Sequence, residues 1–284
     1  MITRYPAVAG YFYESDPQRL IKQIEWAFQH RLGPGPLPQI SASRNKESIG
    51  FVSPHAGYIY SGPIAAHGYH RLAKEGKPDV FVIAGPNHTG RGSAVSVMTE
   101  GIWITPLGEV PIDSEFAKAI VRESEYASPD IEAHLEEHSV EVQIPFLQYL
   151  FKNIKIVPIT LMLQTPRVAE DLAKAIELAA EKLGKDYVFI ASSDFTHYEP
   201  HEVAVKKDSL AIERIVNIDP EGLYNVIEKY NISMCGPGPI MTLLYIARGK
   251  GVKRAEKLAY ATSGDVSGDK SLVVGYASIR VPLT

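Results

Sequence analysis

Val80-Phe81-Val82-Ile83-Ala84-Gly85-Pro86-Asn87-His88 runs an apolar segment straight into a small-residue turn that ends on a histidine. Continuously apolar runs rich in Val, Ile and Phe are what a strand covered on both faces requires. Two other stretches repeat the arrangement. Phe51-Val52-Ser53-Pro54-His55-Ala56-Gly57-Tyr58 carries one histidine, and Ile190-Ala191-Ser192-Ser193-Asp194-Phe195-Thr196-His197 carries another. Around these, strands are predicted at Ile49 to Val52, Val80 to Ala84, Ile154 to Thr160, Tyr187 to Ala191, Leu258 to Thr262 and Leu272 to Ile279. Helical patterns fill the intervals: Pro17 to Arg31, Gly62 to Lys74, Ser114 to Glu123, Ser139 to Phe151, Arg167 to Leu183, Val203 to Val216, Pro220 to Lys229 and Pro239 to Arg248. In the fifth, Val168, Ala169, Leu172, Ala173, Ile176, Ala179 and Ala180 recur at three-to-four spacing, an amphipathic face. Strands alternating with helices predict an α/β fold with a central, largely buried sheet.

Val95, Val97 and Met98 precede Gly101, and Ile102-Trp103-Ile104 precedes Pro106-Leu107-Gly108, which predicts a strand pair flanking or extending that sheet. The Gly-, Pro- and Ser-rich stretch Leu32 to Lys46 reads as a loop. No later linker or internal repeat divides the chain, so one domain over 1–284 is expected. The 284 residues are 45% hydrophobic and 22% charged, enough to bury a full core and too apolar for intrinsic disorder. A net charge of −4 gives no electrostatic case for a nucleic-acid partner or an anionic membrane. The single cysteine cannot close an intramolecular disulfide, and the first residues lack an apolar signal core, so a cytoplasmic protein is expected. Six Asn and seven Gln lean towards a thermophilic source.

In open α/β sheets, ligands bind outside the carboxyl ends of strands. One histidine there is usually a packed, hydrogen-bonded residue, but three arriving independently beside Asp194 point to a site. Imidazole is the commonest protein metal ligand, which makes His55 and His88 the candidate pair. Asp194 and His197, three residues apart, form a candidate acid–base pair. Cys235, in Ser233-Met234-Cys235-Gly236-Pro237-Gly238-Pro239, precedes an apolar helix. Its thiolate would be favoured by that helix's N-terminus, or the residue is simply a small buried hydrophobe. A thiolate beside two imidazoles suits zinc, copper or iron. His138 and Glu141 are expected on one helical face, either orienting a ligand or forming a solvated acidic first turn. No phosphate loop, dinucleotide fingerprint, Gly-x-Ser-x-Gly elbow or His-Glu-x-x-His helix is present.

Taken together, Ala9-Gly10-Tyr11-Phe12-Tyr13, Pro54-His55-Ala56-Gly57-Tyr58-Ile59-Tyr60-Ser61-Gly62, Gly85-Pro86-Asn87-His88, Glu137-His138-Ser139-Val140-Glu141, Ser192-Ser193-Asp194-Phe195-Thr196-His197 and Cys235-Gly236 resemble the MEMO family over nearly the whole chain. That family is similar in fold to the class III extradiol dioxygenases. The resemblance implies a cleft with His55, His88 and Cys235 in the metal-ligand positions and His197 in that of the acid–base histidine, with Asp194 beside it. Tyr60 matches a tyrosine of the family's cleft, Phe12 stands where some members carry tryptophan, and His138 and Glu141 match a further motif by the cleft. Where the dioxygenases hold iron by two histidines and a carboxylate, this chain has Cys235, a softer and oxidisable ligand.

Two functions follow. One is a metal-dependent oxidoreductase, with iron or copper (zinc as a third metal) acting on a small aromatic or oxygen species. The alternative is a non-catalytic adaptor that binds a peptide or metal in the same cleft, with Phe12, Tyr58 and Tyr60 as an aromatic wall. Zinc-dependent hydrolysis is a third option with less support from the resemblance. Monomer and homo-oligomer are both open.

Overall fold

In a computed structural model, residues 2–283 are described. The chain runs β1 (Thr3–Arg4), α1 (Pro17–Gln29), β2 (Ser48–Ser53), α2 (Tyr58–Glu75), β3 (Val80–Pro86) and β4 (Val95–Val97). A hairpin of β5 (Ile102–Thr105) and β6 (Gly108–Pro111) follows, then α3 (Ser114–Glu123) and β7 (Ala127–Pro129). Tight 3-10 turns at Glu132–His134 and Glu141–Gln143 lead into α4 (Ile144–Leu150), β8 (Ile156–Leu161), α5 (Pro166–Leu183), β9 (Tyr187–Ser192) and β10 (His197–Glu199). The last third holds α6 (His201–Val216), α7 (Pro220–Tyr230), α8 (Pro237–Gly249), β11 (Glu256–Thr262), α9 (Ser263–Ser267) and β12 (Val273–Pro282).

The main sheet is ordered β10-β12-β2-β9-β3-β8-β4-β7, with β11 also on β12. Its centre, β2-β9-β3-β8, is parallel throughout, so four strands release their carboxyl ends at one edge. Every residue of these four strands is buried. Helix α2, backed by α1 and α4, packs on β2 and β12, while α8 packs on β9, β3 and β2 with α5 behind it. Each Val, Ile or Phe so enclosed contributes about 1.5–3 kcal/mol relative to exposure, which is why the apolar runs become the inner strands.

Local chemistry sets the helix ends. Asp16, Asp113, Thr165 and Asp219 each accept a backbone N–H three residues on, and Pro17, Pro166 and Pro220 follow three of them. Helix α2 starts at Tyr58, four residues before the expected start at Gly62. Pro63, inside the helix, has no N–H to offer the Ile59 carbonyl, and Ile59 is exposed, where water can take that bond.

Two expectations need correction. The apolar segments on either side of Gly101 do not pair with each other. Strand β4 joins the main sheet against β8, whereas β5 pairs with β1 and β6 in a separate three-stranded sheet. Gly101 turns the chain between them at φ +112°, with its Cα so close to the Ile2 carbonyl that a Cβ would sit 2.4 Å from it. The helix expected from Ser139 begins instead with the 3-10 turn at Glu141, and its regular part starts only at Ile144. No described helix is long and apolar enough to cross a membrane.

Candidate metal centre

Register explains how distant residues meet. Ser53 of β2 lies opposite Ser192 of β9, so His55 and Asp194, each two residues further on, leave adjacent strands at the same level. Ala84 of β3 lies opposite Ala191, which brings the turn carrying His88 to the other side of β9. Cys235 arrives from the turn before α8. Gln164, in the β8–α5 loop, fixes that turn by donating to the Cys235 carbonyl at 2.9 Å and accepting from Gly238 N–H at 2.9 Å. One donor atom each of His55, His88 and Cys235 lies within 4.8 Å of the others.

Hydrogen bonding fixes which ring nitrogens face this cluster. The single hydroxyl proton of Ser192 goes to the Ser139 carbonyl at 2.6 Å, so the Ser192 oxygen must accept from His55 Nδ1–H at 2.8 Å. Gln143 Nε2 donates to the same oxygen at 2.9 Å and to the Pro54 carbonyl at 3.0 Å. His55 Nε2 is therefore an acceptor, and the Cys235 thiol donates to it at 3.2 Å. His88 Nδ1–H donates to Glu137 Oε1 at 2.8 Å, leaving its own Nε2 free. Glu137 also accepts from the His88 and Ser139 backbone N–H groups. A carboxylate or hydroxyl behind each imidazole is the usual support of metal-ligating histidines.

Burial and charge set the protonation states. Burial, with the neighbouring His88, lowers His55 to about 3, so it is neutral at pH 7. Burial also lowers His138 to about 4, assisted by His55 and His88. For Glu137, burial acts upward, but the His88 hydrogen bond and charge outweigh it and hold the carboxyl at about 2. His88 moves the other way: burial acts downward, and Glu137 raises it above its ordinary value. Burial, followed by the Asp194 carboxylate, pushes the Cys235 thiol up, so the helix N-terminus does not make it a free thiolate. Burial likewise raises Asp194, whose Oδ1 accepts the His55 backbone N–H at 2.8 Å rather than a proton from His197.

His197 stands at the margin of the cluster, close enough to influence His55 and Asp194 electrostatically. Its Nδ1–H donates to the Ser233 carbonyl at 2.7 Å and its backbone N–H to Ser233 Oγ at 2.7 Å. Nε2 is thus left as a proton acceptor. His138 stacks on His88 at 4.5 Å between ring centroids, and the Phe12 ring lies 4.7 Å from His138. Tyr60 is exposed.

Two residues expected at the site lie elsewhere. Tyr58 is buried, its ring between Tyr13 and Phe146 and its hydroxyl on the Val142 carbonyl, so it lines no cleft. Glu141 does not share a helical face with His138. It is fully buried, ion-paired with Arg4, and accepts from Tyr13 Oη and the Ala7 and Val8 N–H groups. Sequence reasoning missed Glu137, Ser192, Ser233, Gln143 and Gln164, all of which orient site residues. Glu137, Ser192 and Ser233 stand within the quoted motifs without a role assigned to them there, and Gln164 left no trace.

Gly236 has an ordinary φ of −120°, so space rather than conformation requires it. A Cβ there would lie 2.7 Å from the Ser192 carbonyl and 2.8 Å from Ser193 Cβ. Gly236→Ala should push the Cys235 turn off β9 and destabilise the protein by about 1–3 kcal/mol. A urea midpoint unchanged from wild type would contradict this.

The family model and the curated relatives show kinship, and the solved structure shows the fold. A family model described as Memo-like protein matches residues 4–280. A MEMO1 family protein from Ignicoccus hospitalis is 56% identical, with both chains covered completely. Relatives of the same description from Sulfurisphaera tokodaii and Saccharolobus solfataricus are 55% and 54% identical over 98% of each chain. An uncharacterized protein from Escherichia coli K12 shares the fold at a TM-score of 0.54 and 15% identity, over 82% of this chain and 98% of that one. On the extent of the family match and the identity of these relatives, the chain belongs to the Memo-like protein family.

Proposed function

We infer that His55 Nε2, His88 Nε2 and Cys235 Sγ form a three-donor site for one transition-metal ion, iron or copper, with zinc as the redox-inert alternative, in a metal-dependent oxidoreductase of the cytoplasm. The observation that carries this is the orientation of the two imidazoles. Both are held with Nδ1–H on a supporting oxygen, which leaves Nε2 of each as the nitrogen available to an ion, the way metal-ligating histidines are held. The donor spacing supports the fit. Across a tetrahedral ion with bonds of about 2.0 Å to nitrogen and 2.3 Å to sulfur, nitrogen and sulfur would stand about 3.5 Å apart. His55 Nε2 and Cys235 Sγ are 3.2 Å apart. A thiolate in the set favours iron, copper or zinc over magnesium or calcium.

When bound, such an ion supplies one-electron chemistry or polarises a coordinated oxygen. The chain's own residues supply the rest. His197, locked by Ser233, accepts a proton at Nε2 from a phenol or oxygen species in the cleft. Asp194 holds the His55 backbone, and its second oxygen lies 3.9 Å from His55 Nε2. Elemental analysis of anaerobically purified protein tests the reading. Wild type should retain about one equivalent of iron, copper or zinc, and His88→Ala and Cys235→Ala should each lose it. Wild-type protein that takes up none of the three after anaerobic reconstitution would remove the proposal.

A further inference from the structure

Asp208 of α6 is wholly buried, yet among the described residues no lysine or arginine pairs with it. Leaving a carboxylate so placed without partners would be costly. Three donors meet it instead. The Thr196 backbone N–H, at 2.9 Å, and the Thr196 hydroxyl, at 2.6 Å, both end on Oδ1, and the Tyr260 hydroxyl ends on Oδ2 at 2.7 Å. Burial raises the Asp208 carboxyl above its ordinary value, and these hydrogen bonds act the other way. The carboxylate lies so close to β12 that a Cβ on Gly275 would collide with Oδ2. Two of the three donors therefore belong to the residue that immediately precedes His197.

Strand pairing does little to aim His197. Strand β10 meets β12 through His197 opposite Val274 and Glu199 opposite Val273, which leaves Tyr198 as an extra residue with a left-handed backbone, φ +56°. A bulge of this kind disrupts the ladder locally. Ser233 offers the His197 ring and backbone N–H their partners, but it does so from the loop between α7 and α8. The ring meets those partners only if the preceding peptide is correctly placed. Thr196 is the residue that places it, with its N–H and hydroxyl on Asp208 and its carbonyl accepting the Gly275 N–H at 2.9 Å. A carboxylate makes stronger hydrogen bonds than a neutral acceptor, which is what Asp208 offers here over a serine or an asparagine.

We propose that Asp208 is a positioning residue for His197: through Thr196 it fixes the backbone that presents the imidazole to Ser233, and so keeps the proton on Nδ1 and Nε2 open as the acceptor. The proposal rests on the reading of His197 as a proton acceptor and adds the group that stands behind it. Tyr260 supplies the contrast. Its hydroxyl binds the other oxygen, from β11, so it shares in anchoring the carboxylate but makes no hydrogen bond to Thr196.

The test reads the His197 tautomer by long-range proton–nitrogen correlation NMR on metal-free protein carrying isotope-labelled histidine, at about pH 8, where an ordinary imidazole is neutral. His197→Asn identifies the resonances. Wild type and Tyr260→Phe should both show His197 protonated on Nδ1. Asp208→Ala should move the tautomer ratio about three- to tenfold towards Nε2–H, the size of one hydrogen bond. Asp208→Asn, which keeps an oxygen for Thr196, should move it by about twofold or less. If Asp208→Ala fails to fold, Thr196→Val, which lacks the hydroxyl donor, takes its place and should shift the ratio by at least about twofold. An unchanged His197 signature in the variant that decides would overturn the role of Asp208, even with a lowered melting temperature. A shift of the same size in Tyr260→Phe would reveal general loosening and overturn it equally. His197 protonated on Nε2 in wild type would overturn the acceptor reading and the proposal together. Because no metal is present, failure of the metal reading cannot mimic any of these results.

Discussion

Arg4→Met should lower the stability of the protein by about 3–5 kcal/mol, a melting temperature about 6–20 °C lower. Arg4 is wholly buried. It donates to the carbonyls of His134 and Glu137 at 2.9 and 2.7 Å, forms an ion pair with the equally buried Glu141, and lies 4.3 Å above the Trp103 ring. Removing the guanidinium leaves two carbonyls and a carboxylate without their main partner in a site water does not reach. Restoring neutrality with Arg4→Met and Glu141→Gln together should recover part of the loss, because the penalty comes chiefly from the stranded charge. A fall of less than about 2 °C in the single variant would show that the pair contributes little.

Glu137→Gln should weaken binding of zinc or iron about 10- to 100-fold while leaving the three donor atoms in place. The carboxylate does two things for His88: it holds the ring with Nδ1–H bound, and its charge makes Nε2 a stronger donor. Glutamine keeps an acceptor oxygen but loses the charge, so the ring retains its orientation and forfeits basicity. Competition with a chromophoric chelator measures the effect. Because the backbone bonds from His88 and Ser139 also end on this carboxylate, a parallel urea melt separates lost affinity from lost fold. An affinity within about threefold of wild type would show that Glu137 does not tune the centre.

How much of this was legible in the sequence follows from the period of each signal. The inner strands announce themselves because burial on both faces demands an unbroken apolar run, and Val80 to Ala84 lies wholly within β3. The convergence of His55, His88 and Asp194 follows once those strands are parallel. The roles of Tyr58 and Glu141 were not legible. Tyr58 and Tyr60, two apart in α2, point to opposite sides of the helix, one into the core and the other to solvent, but the helix was expected only from Gly62, so that opposition stayed hidden. Glu141 meets Arg4 across a separation of 137 residues, for which no local pattern exists. The supporting oxygens of Ser192 and Ser233 look in sequence like any serine in a turn. Tyr198 is likewise silent, since its left-handed backbone comes from a pairing mismatch with β12 rather than from its own residue type.

Strands β2 and β3 follow one another in the chain yet are not neighbours, because β9 occupies the slot between them. On the ribosome this imposes an order of events. A nascent chain that has released only its first half owns two of the three residues but not the strand that stands between theirs, and the sulfur of the trio emerges later still, at position 235. Capture of an ion by all three proposed donors would therefore have to follow translation of most of the protein. An ion held by the whole proposed trio would be a certificate that synthesis has passed that point and that the late strand has been threaded into place.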